Sequence, residues 1–476
     1  MLRTGSTLLV ALSLAATPAA PILAQPVEQT PSPDRRITLT LDESLRAALL
    51  RSPEVRRAEA EVEGIRGKQL QAHGARLPQL EMTTVLGPSP RARGDQILSP
   101  DRQFSPRFTG AFVRTDFQII QPIFTWGLLE NARLAAEHGV LATQAGVDLK
   151  SSEVALEVKR AYWGMVVSKS IRDFLLDIRT QVDAAAQRAE RLIEGGFTTE
   201  ADVYRLRANK GELEENLNLV EKTLDLARAA LAAWTGQPSG SIVGPADTAL
   251  PDEIQEPGSV EEFIEDARAG RPEFLALHEG IEARRNLVEV DRKARYPLFF
   301  VGVFGSAATS TNRDRLDNPF VVDPLNHFAL GPLVGFRYDL DFGTTAGKVK
   351  EAEAEVGKLE ALRDFARDGV PLQVRQAHAS VLEAMRNVRA FEEARQNAKK
   401  WLVSASSNFD IGVGEPRELA DAVVAYAKTQ GEYLQALYAY VIGLEQLRHA
   451  AGLDIDEVRR LETPAPATAA PGAPSS

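Results

Sequence analysis

The second half of this 476-residue chain repeats the layout of its first half. Five pairs of residues mark the repeat, three at a separation of 219 and two at 216: Pro53 and Pro272, Pro78 and Pro297, Phe117 and Phe336, Gly196 and Gly412, and Gly236 and Gly452. Each half reads as a short helix, a proline-started helix, two strands around a loop, a long helix, a glycine turn and a returning helix. Because self-similarity reports repeated architecture, we predict two structural repeats, 37–236 and 259–454, joined by a linker at 237–258.

Most of each repeat has a helical pattern. The stretch from Gly127 to Glu194 contains no proline, and a second helical stretch follows it after a glycine turn. A helix of about 68 residues is about 100 Å long at 1.5 Å per residue, which is longer than a globular core requires. We therefore predict two long coiled-coil hairpins, at 127–236 and 344–452, with a kink or a break at Pro371.

Two short segments, at 113–120 and 334–342, alternate between apolar and polar side chains, and two others, at 79–87 and 298–306, also read as strands. In the clearest of them, Val113, Thr115, Phe117 and Ile119 alternate with Arg114, Asp116 and Gln118. A period of two indicates a strand with one face in an apolar medium and the other in a polar medium. We predict strands at 79–87, 108–121, 298–306 and 330–342, with the apolar faces toward lipid. The polar faces would line a lumen with Arg114, Asp116, Gln118, Arg337, Asp339 and Asp341.

The two ends of the chain differ from the repeats. Residues 1–24 have the pattern of a secretory signal peptide, with Arg3 before an apolar core. Residues 25–36 read as a mobile, Pro-rich N-terminal arm, and 455–476 as a Pro/Ala-rich C-terminal tail. Beyond the signal, no segment approaches the ~20 apolar residues of a membrane helix. We therefore expect any membrane attachment to be made by the strands.

The composition argues against several functions. The chain has 66 Asp and Glu against 55 Lys and Arg, a net charge of −11, and no basic stripe, so nucleic acid is not an expected partner. Without cysteine there can be no disulfide, thiolate metal site, cysteine nucleophile or lipidated N-terminal cysteine. The six histidines are scattered, and no catalytic constellation is present. We predict no enzymatic activity, no metal site and no cofactor.

Four strands cannot close a membrane barrel. About eight strands are the smallest workable number, and an open sheet edge in lipid leaves backbone groups without hydrogen-bond partners. Two chains would supply eight strands and little lumen, whereas three chains would supply twelve and leave room for hydrated charges. We therefore predict a homotrimer that closes a twelve-stranded barrel in a lipid membrane.

The order of these elements resembles that of the TolC family of bacterial outer-membrane efflux proteins. The likeness extends over about 37–454 and includes Phe-Gln-Ile-Ile-Gln-Pro-Ile-Phe at 117–124, Asp-Leu-Asp-Phe-Gly at 339–343 and Ala-Trp-Thr-Gly at 233–236. It implies a trimeric channel-tunnel, mainly α with a transmembrane β-barrel part in outer-membrane lipid, that extends into the periplasm. It also implies a passive exit channel of a tripartite efflux or type I secretion system, joined to an inner-membrane pump through a periplasmic adaptor (membrane fusion protein).

The same resemblance implies a gate at the periplasmic turns of the hairpins. Acidic rings of Glu418, Asp421 and Asp202 would narrow the entrance, and the adaptor would contact the tips at Gly195, Gly196, Thr198, Gly412 and Gly414. Glu418 and Asp421 are three residues apart and share one helix face, although acids near a helix N-terminus are also common on solvated faces. Gly414 stands where the family places a latch arginine, and Arg205 and Arg417 are the alternative candidates.

One alternative comes from a different class of protein. A periplasmic coiled-coil scaffold or adaptor without a pore could carry the strands as a small soluble sheet. The apolar strand faces weigh against it, because so small a sheet could hardly cover them. The transported substrate, whether drug, metal, polysaccharide or protein, stays open.

Overall fold

The computed structural model describes residues 36–94, 103–194, 199–238, 242–315, 320 and 322–462. The helices are α1 (Leu41–Arg51), α2 (Pro53–Gly74), α3 (Leu128–Glu194), α4 (Glu200–Trp234), α5 (Val260–Gly270), α6 (Pro272–Lys293), α7 (Thr344–Asp410), α8 (Pro416–Ala450) and α9 (Ile455–Glu462). The strands are β1 (Arg36–Leu39), β2 (Gln79–Arg93), β3 (Gln103–Phe124), β4 (Ile242–Pro245), β5 (Leu298–Ser310) and β6 (His327–Arg337). None of the helices in these ranges is long and apolar enough to cross a membrane. The predicted signal peptide lies outside the described residues.

The duplication is visible in the helix lengths. α1 and α5 each have 11 residues, and α2 and α6 each have 22. α3 and α7 each have 67 residues, and α4 and α8 each have 35. In both repeats the two strands lie between the second and third helices. The predicted internal repeat is therefore confirmed, down to the length of each helix.

β2, β3, β5 and β6 form one antiparallel sheet in that order. All four predicted strands are present, but β2, β3 and β5 are longer than the sequence predicts. The prediction of a strand at 330–342 is wrong at its end, since β6 stops at Arg337. The Asp341 carboxylate accepts hydrogen bonds from the backbone N–H groups of Gly343 and Thr345, at 3.3 and 3.0 Å. It thus satisfies donors at the start of α7, as a helix-capping carboxylate does.

The long second hairpin is not interrupted at Pro371. α7 is one continuous helix through this residue, so the predicted break is wrong. A proline inside a helix removes one backbone hydrogen bond. Pro371 is buried, and its neighbours Val370 and Val374 are 5% and 0% exposed. Their burial offsets the missing bond.

The helices pack around two apolar cores. The larger core lies between the long helices, the short helices and the linker, and it includes Leu45, Tyr162, Met165, Val374 and Tyr440. The second core lies closer to the hairpin turns and includes Ile178, Val203, Leu217, Phe409 and Leu419. Contacts along α3 with α4 and along α7 with α8 are extensive, as expected for coiled-coil hairpins.

The linker is fastened to the long helices. Within it, β4 pairs in parallel with β1. The buried hydroxyl of Tyr162 on α3 donates to Asp247, and burial raises the pKa of Tyr162 to about 12. On α8, the Tyr440 hydroxyl donates to the Gln255 carbonyl and accepts from its N–H, both at 2.8 Å. Each repeat therefore contributes one buried tyrosine that holds the linker.

An unexpected helix begins in the C-terminal tail. The composition predicts a Pro/Ala-rich tail from residue 455, whereas 455–462 form α9, which packs on α3 and α1. Burial by itself would raise the pKa of Asp454, just before α9, but hydrogen bonds from His449 and Ser152 hold it below its usual value. Residues 463–476 lie outside the described residues.

Glu462, the last residue of α9, is expected to make the attachment of this helix sensitive to pH. Burial raises the pKa of Glu462, and the neighbouring Asp148 and Glu59 raise it further. A raised pKa in the folded state favours the protonated form of the carboxyl. The contribution of this group to stability is therefore fully present at a pH below its pKa in the unfolded chain, and it is lost as the pH rises through its pKa in the folded protein. We expect Glu462→Gln to slow hydrogen exchange of the α9 amides at neutral pH. The exchange rate of these amides should also rise less with pH in the variant, because the part of the rise that comes from ionisation of Glu462 is removed.

Asp456→Asn is the matched control for this prediction, because the Asp456 side chain is 89% exposed on the same helix. It removes a carboxylate from the first turn of α9, where the helix dipole favours one, so it should not slow the exchange of α9. Equal exchange in the wild type and Glu462→Gln across mildly acidic and neutral pH would contradict the prediction.

Candidate functional site

The four-stranded sheet has one apolar face. Directly paired residues of neighbouring antiparallel strands lie on the same face. Met82 pairs with Phe117, Phe117 with Gly305, and Gly305 with Leu330. The same face carries the apolar side chains Leu80, Leu86, Val113, Ile119, Val301, Val303, Val334 and Phe336. Several of these side chains are largely exposed in the single chain, for example Val334 at 81% and Leu86 at 72%.

The opposite face carries the predicted polar side chains of β3. Asp116 lies 2.9 Å from Arg114 and accepts a hydrogen bond from the Ser306 hydroxyl on β5 at 2.6 Å. Ser306 also lies 2.7 Å from Nε2 of His327, the first residue of β6. Gln118 donates to Glu81 on β2 at 2.7 Å. The polar groups thus form hydrogen-bonded links that involve all four strands.

The other predicted lumen residues lie at the helical end of β6. Arg337 is the last residue of β6, and its pairing with Leu298 places it on the polar face. Asp339 and Asp341 lie beyond the strand. Asp341 is therefore a capping residue of α7 rather than a strand residue facing a lumen, because its carboxylate is occupied by the backbone of 343–345.

Aromatic rings collect where the sheet meets the helices. The Trp126 ring centroid lies 4.9 Å from that of Phe124 and 5.1 Å from that of Tyr296. Its indole N–H donates to the Pro297 carbonyl at 3.0 Å. A ring with an apolar body and a satisfied polar tip suits the boundary between apolar and wet surroundings.

The turn between α7 and α8 is built on two glycines. Gly412 has φ +79°, a left-handed conformation that favours glycine. A Cβ at Gly414 would lie 2.8 Å from the backbone nitrogen of Phe409 and 2.9 Å from Asn408. This position has no room for any larger residue, so the arginine expected there is excluded by the turn itself. Gly195, Gly196 and Thr198 lie outside the described residues.

The acidic groups near this turn differ in their surroundings. Asp421 lies 3.6 Å from Arg205 of α4 and 3.9 Å from Arg417 of its own helix. Both alternative latch arginines therefore face the same carboxylate. Glu418 is exposed in the first turn of α8, where a carboxylate interacts favourably with the helix dipole. Asp202 lies on α4, but its side chain is outside the described residues.

The structure shows further ion pairs near the turns that the sequence did not predict. Arg207 and Lys210 of α4 pair with Glu190 and Asp183 of α3, both at 2.6 Å, and Arg188 of α3 pairs with Asp410 at the end of α7. The sequence carries no signal for such pairs, because each partner looks like any other charged residue on a helix surface. Together with the pair Arg205–Asp421, they connect all four long helices near the hairpin turns.

A sheet that is apolar on one face and polar on the other, carried by two long helical hairpins, is the architecture expected of an outer-membrane channel protein. Residues 44–237 and 263–453 match the sequence model of the family described as "Outer membrane efflux protein". The two matched segments coincide with the two structural repeats. The chain belongs to the outer membrane efflux protein family, and it is an outer-membrane efflux channel protein that extends into the periplasm.

Relatives and solved structures agree with this assignment. Outer membrane protein TolC of Vibrio cholerae serotype O1 is 23% identical over 333 residues, which cover 69% of this chain and 73% of the relative. Fusaric acid resistance protein FusA of Burkholderia cepacia is 26% identical over 192 residues, and the match spans 39% of this chain and only 36% of FusA. The CmeC outer membrane channel of Campylobacter jejuni superimposes with a TM-score of 0.70 at 14% identity, over 89% of this chain and 90% of CmeC. At 14% identity, the likeness to CmeC shows the fold alone.

Proposed function

We propose that three copies of this chain form one passive exit duct that a periplasmic adaptor connects to an inner-membrane pump. The observation that carries the proposal is the four-stranded sheet, whose outer strands β2 and β6 are each paired with only one other strand within the described residues. An unpaired strand edge beside lipid leaves backbone N–H and C=O groups without partners. Three sheets joined edge to edge satisfy these groups and close a barrel of twelve strands, above the minimum of about eight.

The two faces of the sheet support one orientation of the barrel wall, with the polar face toward the lumen. The apolar face, with Met82, Phe117 and Leu330, would be turned to lipid, and the linked polar groups around Asp116 and Gln118 would line the lumen. This arrangement matches the alternation of transmembrane β-barrels, apolar outside and polar inside. The pump supplies the energy, because a duct of this kind only conducts.

The entrance lies at the helix turns. Threefold copies of Glu418 and Asp421, and of Asp202, would place negative charge around the opening, which favours cations over anions. The pair Arg205–Asp421 joins α4 to α8 and acts as a latch that holds the entrance narrow. An adaptor would contact the turns and the groove of about 360 Å³ between α3, α4 and α8, which is lined mainly by apolar side chains such as Leu213, Leu219 and Val424.

Single-channel conductance in a planar bilayer tests the duct and the gate separately. The wild type should give small cation-selective openings. The double variant Glu418→Ala/Asp421→Ala should give larger openings with less cation selectivity, because it removes two of the three acidic rings and frees Arg205 from its partner. Glu383→Ala, an exposed acid in the middle of α7, is the control and should behave like the wild type.

The outcomes separate the two parts of the proposal. Openings that do not change in the double variant would retain the duct and discard the gate. A folded protein that conducts in neither form, and that electron microscopy does not show as a threefold tube, would discard the duct and favour the periplasmic scaffold.

A further inference from the structure

Phenylalanine rings of the sheet lie over glycines of the neighbouring strand. A Cβ built on Gly331 would lie 2.9 Å from the ring of Phe304, its directly paired residue. The equivalent distances are 2.7 Å between Gly87 and Phe112 and 3.0 Å between Gly335 and Phe300, and a Cβ at Gly305 would overlap the ring of Phe117. In each pair the ring occupies space that the side chain of any other residue would fill. Each ring therefore leans over the glycine of the neighbouring strand instead of pointing straight away from the sheet.

Three of the four pairs are on the polar face. Phe304 is paired with Gln118, which places it on the face of the polar links. Phe112 and Phe300 share this face. Phe112 is an even number of residues from Gln118 on β3, and Phe300 is an even number of residues from Phe304 on β5. Phe117 lies on the apolar face. Along the sheet axis, Phe112 is nearest the strand–strand loops and Phe300 is nearest the helices.

We propose that these three phenylalanine–glycine pairs set the bore of the channel. The proposal rests on the proposed function, in which the polar face lines the lumen. A ring lying over glycine leaves the lumen open, whereas a side chain at the glycine position forces the ring to rotate about χ1 and stand away from the wall. Each glycine thus lets its paired ring stay close to the channel wall, and this determines the largest solute that can pass.

Cysteine modification from outside the cell measures this bore. It does not depend on the proposed gate, which lies at the opposite end of the channel. The chain has no native cysteine, so Gln79→Cys provides a single thiol. Gln79 is exposed, lies on the polar face opposite Ile120, and is nearer the helices than Phe304. A reagent added outside intact cells must therefore pass Phe304 to reach it. A small charged maleimide and a bulky polymer-linked maleimide are the two probes.

In the Gln79→Cys background, Gly331→Ala should slow modification by the bulky probe several-fold and leave the small probe nearly unchanged. Adding Phe304→Ala to Gly331→Ala should restore or exceed the original rate, and Phe304→Ala alone should increase it. The last variant introduces no clash, so it tests the proposal even if Gly331→Ala assembles poorly. Gly305→Ala is the matched control, because its added methyl group meets Phe117 on the apolar face. In the trimers that assemble, it should not change the rate at which either probe modifies the introduced thiol.

Two results would overturn the inference. Bulky-probe rates that are equal in the background, Gly331→Ala and Phe304→Ala variants would show that the rings do not limit the bore. A Gln79→Cys protein whose introduced thiol reacts with neither probe from outside would instead contradict the proposed function, because the polar face would then not line an open lumen.

Discussion

Replacement of Lys159 by methionine is expected to destabilise the protein by about 3 kcal/mol per chain, the lower end of the range for breaking a buried ion pair. The Lys159 side chain on α3 is only 4% exposed, and its Nζ lies 2.6 Å from Glu445 of α8 and 3.0 Å from Glu457 of α9. Methionine has a similar length but no charge. It would leave two partly buried carboxylates close together, with only the longer contacts of Arg448, at 3.8 and 3.5 Å, to offset their charge. Thermal unfolding followed by circular dichroism should show a clear fall in midpoint.

The neighbouring residue provides the control. Arg160 pairs with Glu157 on the surface of the same helix and is 38% exposed, so Arg160→Met should cost under about 1 kcal/mol. Adding Glu445→Gln and Glu457→Gln to Lys159→Met should recover most of the lost stability, because uncharged groups tolerate burial better. A triple variant no more stable than Lys159→Met would show that the loss comes from packing and not from the unpaired carboxylates.

Lys159 also illustrates what the sequence alone could not predict. Its partners are 286 and 298 residues away, and nothing in the local pattern distinguishes it from the other lysines on helices. The pairing of β1 with β4 and the docking of α9 were missed for the same reason. Both depend on short segments whose structure is decided by contacts that are distant in sequence.

Local periodicity did predict the sheet. The alternation around Phe117 identified the strand and separated its faces correctly, since the structure brings Asp116 and Gln118 into the polar links. The same rule failed at Asp341, where alternation continues past the strand by coincidence and the carboxylate caps α7 instead. A period of two cannot distinguish the last residues of a strand from a capping segment with the same pattern. The acidic rings of the gate stay a prediction.

Substitution of Met82 by arginine is expected to prevent normal accumulation of the protein in the outer membrane. Met82 lies on the apolar face and is 66% exposed in the single chain. An arginine on the lipid side of a transmembrane barrel costs about 2–4 kcal/mol near the middle of the bilayer. The amount of folded, heat-modifiable trimer in outer-membrane fractions, compared with the wild type, measures this effect.

Thr83→Arg is the matched control, one residue further along the same strand. Thr83 is also exposed, but it pairs with Asp116 on the polar face, where a guanidinium group meets water and a carboxylate. It should be tolerated. In a soluble scaffold both positions would face water and both variants would accumulate, so a difference between them distinguishes a barrel wall from a small exposed sheet. The difference should be large, because a trimer carries three copies of each substitution, and three lipid-facing arginines would cost about 6–12 kcal/mol per assembly.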